Sequence, residues 1–126
     1  MHRLISTVII FILTLLIITA GFAINTRTTN SINEKINTAI ELNTYGEIED
    51  AKNIIQTAID EWDNHIETML LFESHGKLDQ IEESLKIAQM YIKNGETEMF
   101  NAECKRASIL IDHFNSLEYP TIYNIF

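Results

Sequence analysis

The hydrophobic residues divide the chain into two unequal parts. Residues 4–24, LISTVIIFILTLLIITAGFAI, carry no charged side chain. A helix of this length reaches roughly 30 Å at about 1.5 Å per residue, which matches the hydrocarbon core of a bilayer. Its polar members can hydrogen-bond back to carbonyl groups of their own helix; they are Ser6, Thr7, Thr14 and Thr19. The segment therefore predicts a single transmembrane helix.

A cleaved signal peptide is the alternative interpretation of this segment. Gly21-Phe22-Ala23 places small residues at the spacing needed for cleavage after Ala23. The apolar run exceeds the roughly 7–15 residues of a signal-peptide core, which favours an uncleaved anchor. Positive charge tends to stay in the cytoplasm, and Arg3 precedes the segment, although Arg27 and Lys35 follow it. This charge bias predicts a cytoplasmic N-terminus and an extracytoplasmic domain.

After the anchor, apolar residues recur at steps of three and four, which indicates amphipathic helices. The stripe is clearest in the second helix, where it comprises Ile48, Ala51, Ile55, Ala58, Trp62, Ile66 and Met69. Four helices are predicted, at residues 31–43, 47–74, 78–93 and 96–117. No Gly or Pro lies between Phe22 and Tyr45, so the anchor can continue into the first of them as one rod.

This pattern predicts an all-α fold, in which the transmembrane helix precedes a small antiparallel bundle of two helical hairpins. His75-Gly76 is expected to end the second helix, with Gly76 in a left-handed conformation. The expected parts are a cytoplasmic N-terminus (1–3), the anchor (4–24), a juxtamembrane helix (25–43), the bundle (47–118) and an apolar tail (119–126). The tail is expected to pack back onto the bundle.

Charge narrows the range of partners. The chain has 18 acidic and 9 basic residues, and every acidic residue follows Ile24. Such a surface repels the phosphate backbone of nucleic acids, so no nucleic-acid partner is expected. It also disfavours a domain that lies flat on anionic lipid.

No convergent reactive group is evident in the sequence. Cys104 is the single cysteine and lies on an apolar stripe, so we expect a buried, unreactive side chain and no disulfide. Glu61 and His65 are spaced to hold a metal together, but without a second ligand pair we interpret them as a solvated surface pair. His75 and His113 are expected near helix ends, where an imidazolium complements the helix dipole. No catalytic residue, cofactor or metal site is predicted.

An ordered set of residues resembles a bacterial family, the domain of unknown function numbered 4363. The residues that carry the resemblance are Trp62, HGKLDQIEESL at 75–85, Tyr91-Ile92, His113 and Asn124-Ile125-Phe126. The resemblance implies one N-terminal membrane segment followed by helices, and a Gram-positive, often spore-forming source. It implies no known activity and supplies no catalytic residues.

The sequence therefore favours a non-enzymatic, extracytoplasmic interaction module in a bacterial membrane, accessory to another membrane protein. Its candidate interaction surface comprises Trp62, His75, Tyr123 and Phe126. Trp62 is interpreted first as a core residue of the second helix and second as an edge-exposed anchor for a partner. The alternative function is a ligand-sensing helical bundle. Since only three residues precede the anchor, such a sensor is expected to act through a partner.

Overall fold

The protein is described by a computed structural model that covers residues 1–71 and 75–118, without the side chains of residues 22 and 116–118. Four helices account for most of this part of the chain: α1 (His2–Thr44), α2 (Ile48–Leu70), α3 (His75–Lys93) and α4 (Thr97–Glu118). The described residues contain no strand, and the helices pack against one another. The predicted all-α fold is confirmed.

Helix α1 serves two structural purposes along its 43 residues. Residues 2–20 are exposed on every side, whereas Ile32, Ile36 and Ala39 are buried in the bundle. The helix passes from one environment to the other without a break, and Gly21 lies inside it. The second half of α1 is thus the first helix of the bundle.

The bundle closes as a ring in which α1 contacts α2, α2 contacts α3, α3 contacts α4 and α4 contacts α1. The order of the α1–α4 contacts shows that these two helices are antiparallel. Thr29 of α1 bonds Asn115 near the end of α4, whereas Asn43 bonds Asn101 near its start. Short connections make the consecutive pairs antiparallel as well.

The core is built from the predicted stripes. Trp62 and Phe100 are its largest fully buried side chains. Around them pack mainly aliphatic residues of all four helices, among them Ile32, Ile36, Ile55, Met69, Leu78, Ile81, Leu85, Ile92 and Ile111. Ile48 and Ile66 are only partly buried and lie against the edge of this cluster.

Two turns at the same end of the bundle require glycine. Gly46 and Gly95 have φ angles of 83° and 77°, in the left-handed region that other residues rarely adopt. After α1, the amide of Glu47 donates to the carbonyl of Leu42 at 2.8 Å. After α3, the amide of Glu96 donates to the carbonyl of Tyr91 at 2.9 Å. Both helices therefore end in a Schellman motif, which satisfies carbonyl groups that the helix leaves unpaired.

The prediction for His75 and Gly76 was wrong. Helix α2 ends at Leu70, and His75 is the first residue of α3. Gly76 is its second residue and does not have a positive φ. Glycine is tolerated here because the first turn has few intrahelical hydrogen bonds to lose. The imidazole of His75 thus lies at the positive end of a helix dipole and cannot stabilise α2 as expected.

Candidate functional site at the membrane end of the bundle

The first half of α1 is an exposed apolar helix whose polar groups are satisfied internally. Four hydroxyl groups each donate to the carbonyl four residues earlier at 2.8 Å; they belong to Ser6, Thr7, Thr14 and Thr19. These predicted back-bonds are confirmed. A helix surrounded by lipid needs this arrangement, because no water is present to bond its polar groups. The helix is long and apolar enough to cross a membrane.

The second half of α1 is joined to α4 by uncharged polar side chains, which we call the α1–α4 seam. From the end nearest the apolar run outward, the contacts are Thr29–Asn115, Asn33–Ser108 and Asn43–Asn101, at 2.8, 2.6 and 2.8 Å. Asn33 also donates to the carboxylate of Asp112 at 3.1 Å. Directional hydrogen bonds define the alignment of two helices more strictly than apolar contacts do. The seam therefore fixes the position of α4 along the axis of α1.

Glu61 joins α2 to α1 rather than facing solvent beside His65. Its carboxylate forms an ion pair with Lys35 and accepts a hydrogen bond from Ser31 at 3.1 Å. The Nδ1 atom of His65 lies 2.9 Å from the backbone carbonyl oxygen of Glu61, not from its carboxylate. The interpretation as a solvated surface pair was therefore wrong for Glu61, because the antiparallel packing brings Lys35 to it.

No metal centre is formed by the side chains described. Within residues 1–71 and 75–115, no three His, Cys, Asp or Glu side chains lie close enough to share an ion. The only cysteine, Cys104, is fully buried, as predicted. Burial, assisted by the neighbouring carboxylate of Glu103, raises the pKa of its thiol to about 12. It is therefore a poor nucleophile at neutral pH.

Of the predicted interaction residues, only Trp62 and His75 lie in the described part of the chain, and these two do not share an exposed surface. Trp62 is fully buried, so it belongs to the core and not to an exposed patch. The packing of α2 against α1 and α3 explains this, and its first interpretation as a core residue is the correct one. His75 is exposed at the start of α3. Tyr123 and Phe126, with the whole tail 119–126, lie outside the described residues.

A groove between α3 and α4 was missed by sequence reasoning. It has a volume of about 200 Å³ and is lined by Lys77, Gln80, Ile81, Leu110, His113 and Phe114. Its lining combines three apolar with three polar side chains. No spacing in the sequence signals it, because it depends on the alignment of two helices that run in opposite directions.

A second missed feature lies where α1 enters the bundle. The Asn25 side chain is only 1% exposed. Neither its amide nitrogen nor its oxygen has a hydrogen-bond partner among the residues that the structure describes. Leaving a buried polar group unpaired costs about 1–3 kcal/mol, so such residues are uncommon in cores. Asn25 marks the layer, next to the apolar run, at which α1 changes from an exposed helix to a bundle helix.

Comparison with known proteins identifies the bundle but no activity. A family model described as "Domain of unknown function (DUF4363)" matches residues 22–125. The match begins where the exposed half of α1 gives way to the bundle, so the bundle is what the family shares. No curated protein and no solved structure matches the chain.

Proposed function

The chain belongs to the DUF4363 family, whose description assigns no function, and from this premise we propose that it is a single-pass bacterial membrane protein carrying a non-enzymatic interaction module. The N-terminus is cytoplasmic, and the bundle is extracytoplasmic. There the bundle binds another membrane protein and supports or modulates it. The positive charge of Arg3 before the apolar run supports this orientation.

The continuity of α1 is the observation that carries the proposal. One helix supplies both the exposed apolar segment and the first wall of the bundle. A flexible linker would let the bundle rotate away from the bilayer, but an unbroken helix does not. The Lys35–Glu61 ion pair and the α1–α4 seam tie this helix to both of its neighbours. Such a rigid attachment of the bundle to the anchor suits a protein that presents one surface to a partner in the same membrane.

The chemistry of the bundle supports a binding function over catalysis. Its described side chains hold no metal-binding group of three, and the thiol of Cys104 is buried with a raised pKa. The candidate pair of Glu61 and His65 is occupied in structural contacts. What remains exposed on α2 and on the bundle half of α1 is mainly a polar, acidic helical surface, which suits binding to a partner.

Crosslinking in native membranes tests the proposal. The full-length tagged chain is crosslinked in its own cells, extracted in mild detergent and purified. An unrelated single-pass anchor with the same tag serves as the control. We expect one partner to recur in independent preparations and to be absent from the control. Recovery of monomer alone would contradict the proposal.

A ligand-sensing bundle is the second candidate function, and the groove between α3 and α4 is the observation that favours it. A cleft with an apolar floor and convergent polar groups suits a small ligand. A thermal-shift screen of small molecules and divalent ions on the full chain tests this idea. A true ligand should raise the melting temperature of the wild type but not that of Leu110→Trp, in which the groove is filled. No stabilisation by any compound would eliminate the sensing function.

A further inference from the structure

The position of the bundle relative to the apolar run follows from helix pairing. Glu61 of α2 contacts Ser31 and Lys35 of α1. Leu71 lies ten residues further along the chain, which is about 15 Å along the helix axis toward the N-terminal half of α1. This places Leu71 at the level of residues 21–25 of α1, where the charge-free run ends.

Helix α4 gives an independent measure of the same level. Asn115 of α4 bonds Thr29 and Asn30 of α1. Because α4 ends three residues later, at Glu118, its end lies at the level of residues 26–27 of α1. The ends of α2 and α4 therefore reach one layer, which we call the base of the bundle. No stalk separates this base from the apolar run.

The base carries an exposed apolar side chain, whereas the opposite end carries acid. Leu71 is 78% exposed at the end of α2. Glu67, one turn before Leu71, is also exposed, but the larger group of exposed carboxylates lies at the far end, around the two glycine turns; they belong to Glu47, Glu49, Asp50, Glu96 and Glu98. A bundle that stood upright on a bilayer would hold these charges about 35 Å away, the length of α2. Upright contact thus avoids the repulsion that disfavours a flat orientation on anionic lipid.

We propose that the base of the bundle is a lipid-contact surface, in which Leu71 inserts into the interfacial region of the bilayer that α1 spans. The interfacial layer adds several Å beyond each side of the hydrocarbon core, so a side chain at the level of residues 21–25 lies within it. The occupant is the lipid surface, because any group at this level beside a spanning helix is surrounded by lipid. This inference rests on the proposed function, in which α1 is a membrane anchor.

Fluorescence quenching by lipid tests the inference. Leu71→Cys is labelled with bimane and reconstituted as the full chain in phosphatidylcholine nanodiscs, with or without nitroxide-labelled lipid. Tyr45→Cys is the matched control, since Tyr45 is 81% exposed in the turn at the far end of the bundle. Leu13→Cys, in the middle of the apolar run, reports on the anchor itself. The unsubstituted chain gives the labelling background, which should be low because Cys104 is buried.

We expect nitroxide lipid to reduce the emission at position 71 at least twofold and that at position 45 by less than a tenth. The label at position 13 should be quenched strongly. If position 71 behaves like position 45 while position 13 is quenched, α1 is a membrane anchor but the base does not contact lipid, and the inference is wrong. If position 13 is not quenched either, the proposed membrane function fails, and the inference fails with it.

Discussion

At the scale of single residues, burial decides which side chains are available for function. Trp62 looked like a possible anchor for a partner, yet it is one of the largest fully buried side chains. Its indole nitrogen is buried and has no hydrogen-bond partner within the described part of the chain, so the side chain contributes through packing rather than through a polar contact. Burial likewise keeps the thiol of Cys104 inside the core, where the sequence places it.

Truncation of Trp62 should destabilise the bundle severely. Trp62→Ala should lower the free energy of unfolding by about 3–5 kcal/mol, because it leaves a large cavity in the core. Trp62→Phe should cost only about 1–2 kcal/mol, since it keeps most of the apolar volume and removes an unpaired N–H group. Urea denaturation of the full chain in detergent, followed by circular dichroism, measures both. Equal losses for the two variants would contradict the packing account.

The buried thiol should make stability depend on alkaline pH. Folding raises the pKa of Cys104 from the ordinary 9.0 to about 12. Below pH 9, both the folded and the unfolded thiol are protonated and the full stability is present. As the pH rises from 9 to 12, the unfolded thiol loses its proton first, so stability should fall by up to about 1.4 kcal/mol per pH unit.

Cys104→Ala provides the comparison for this pH effect. The variant should be less stable at every pH but should lack the part of the alkaline slope that Cys104 contributes. Urea denaturation of both proteins at several pH values between 8 and 11 gives the difference between the slopes. Parallel curves for the two proteins would show that the thiol is not perturbed by burial.

At the scale of helices and turns, the three described glycines outside the apolar run serve different purposes. Gly46→Ala and Gly95→Ala should each cost about 1 kcal/mol, because φ is 83° and 77° at these positions. Gly76 lies in the first turn of α3 with open space around its Cα, so Gly76→Ala should stabilise the bundle by about 0.5 kcal/mol. Thermal melts of the three variants check the opposite signs.

The α1–α4 seam should contribute measurably to the free energy that holds α4 against α1. Asn33→Ala removes contacts to Ser108 and Asp112 and should lower stability by about 1–2 kcal/mol, since Ser108 is then left without that partner. Asn37→Ala, one turn along the same helix at an exposed position, is the matched control and should change stability little. If both substitutions cost the same, the seam does not hold α4 in place.

Comparison of individual elements shows why some features could be predicted from the sequence and others could not. The stripe of α2 and the turns at Gly46 and Gly95 follow from local periodicity and backbone chemistry, and both are found in the structure. The prediction that His75-Gly76 ends the second helix was wrong because glycine is compatible both with the end of one helix and with the first turn of the next. Local pattern does not distinguish the two.

Features that join distant segments could not be predicted. The Lys35–Glu61 ion pair and the seam contacts of Asn33 depend on how antiparallel helices align, and a single sequence does not show this alignment. The groove between α3 and α4 and the level of the base arise from the same alignment. The candidate functional surfaces of this protein therefore depend on how its helices pack, whereas the helices themselves follow from the local sequence.

At the scale of the whole molecule, α1 relates the bundle to its surroundings. A helix of 43 residues is about 65 Å long, enough to cross a bilayer and still form a full wall of the bundle. Because the bundle begins where the apolar run ends, the two parts share one axis and one boundary. Under the proposed function, the protein is a helical body that stands on the membrane with its acidic outer end facing a partner.

Extraction of membranes with alkaline carbonate, followed by intact-mass measurement, tests most directly whether the apolar half of α1 is an uncleaved anchor. The full-length chain is expressed in bacteria, and both the pellet and the supernatant are measured. We expect the protein to stay in the pellet with the mass of all 126 residues. A protein released into the supernatant, or a mass that corresponds to a chain beginning after Ala23, would contradict it.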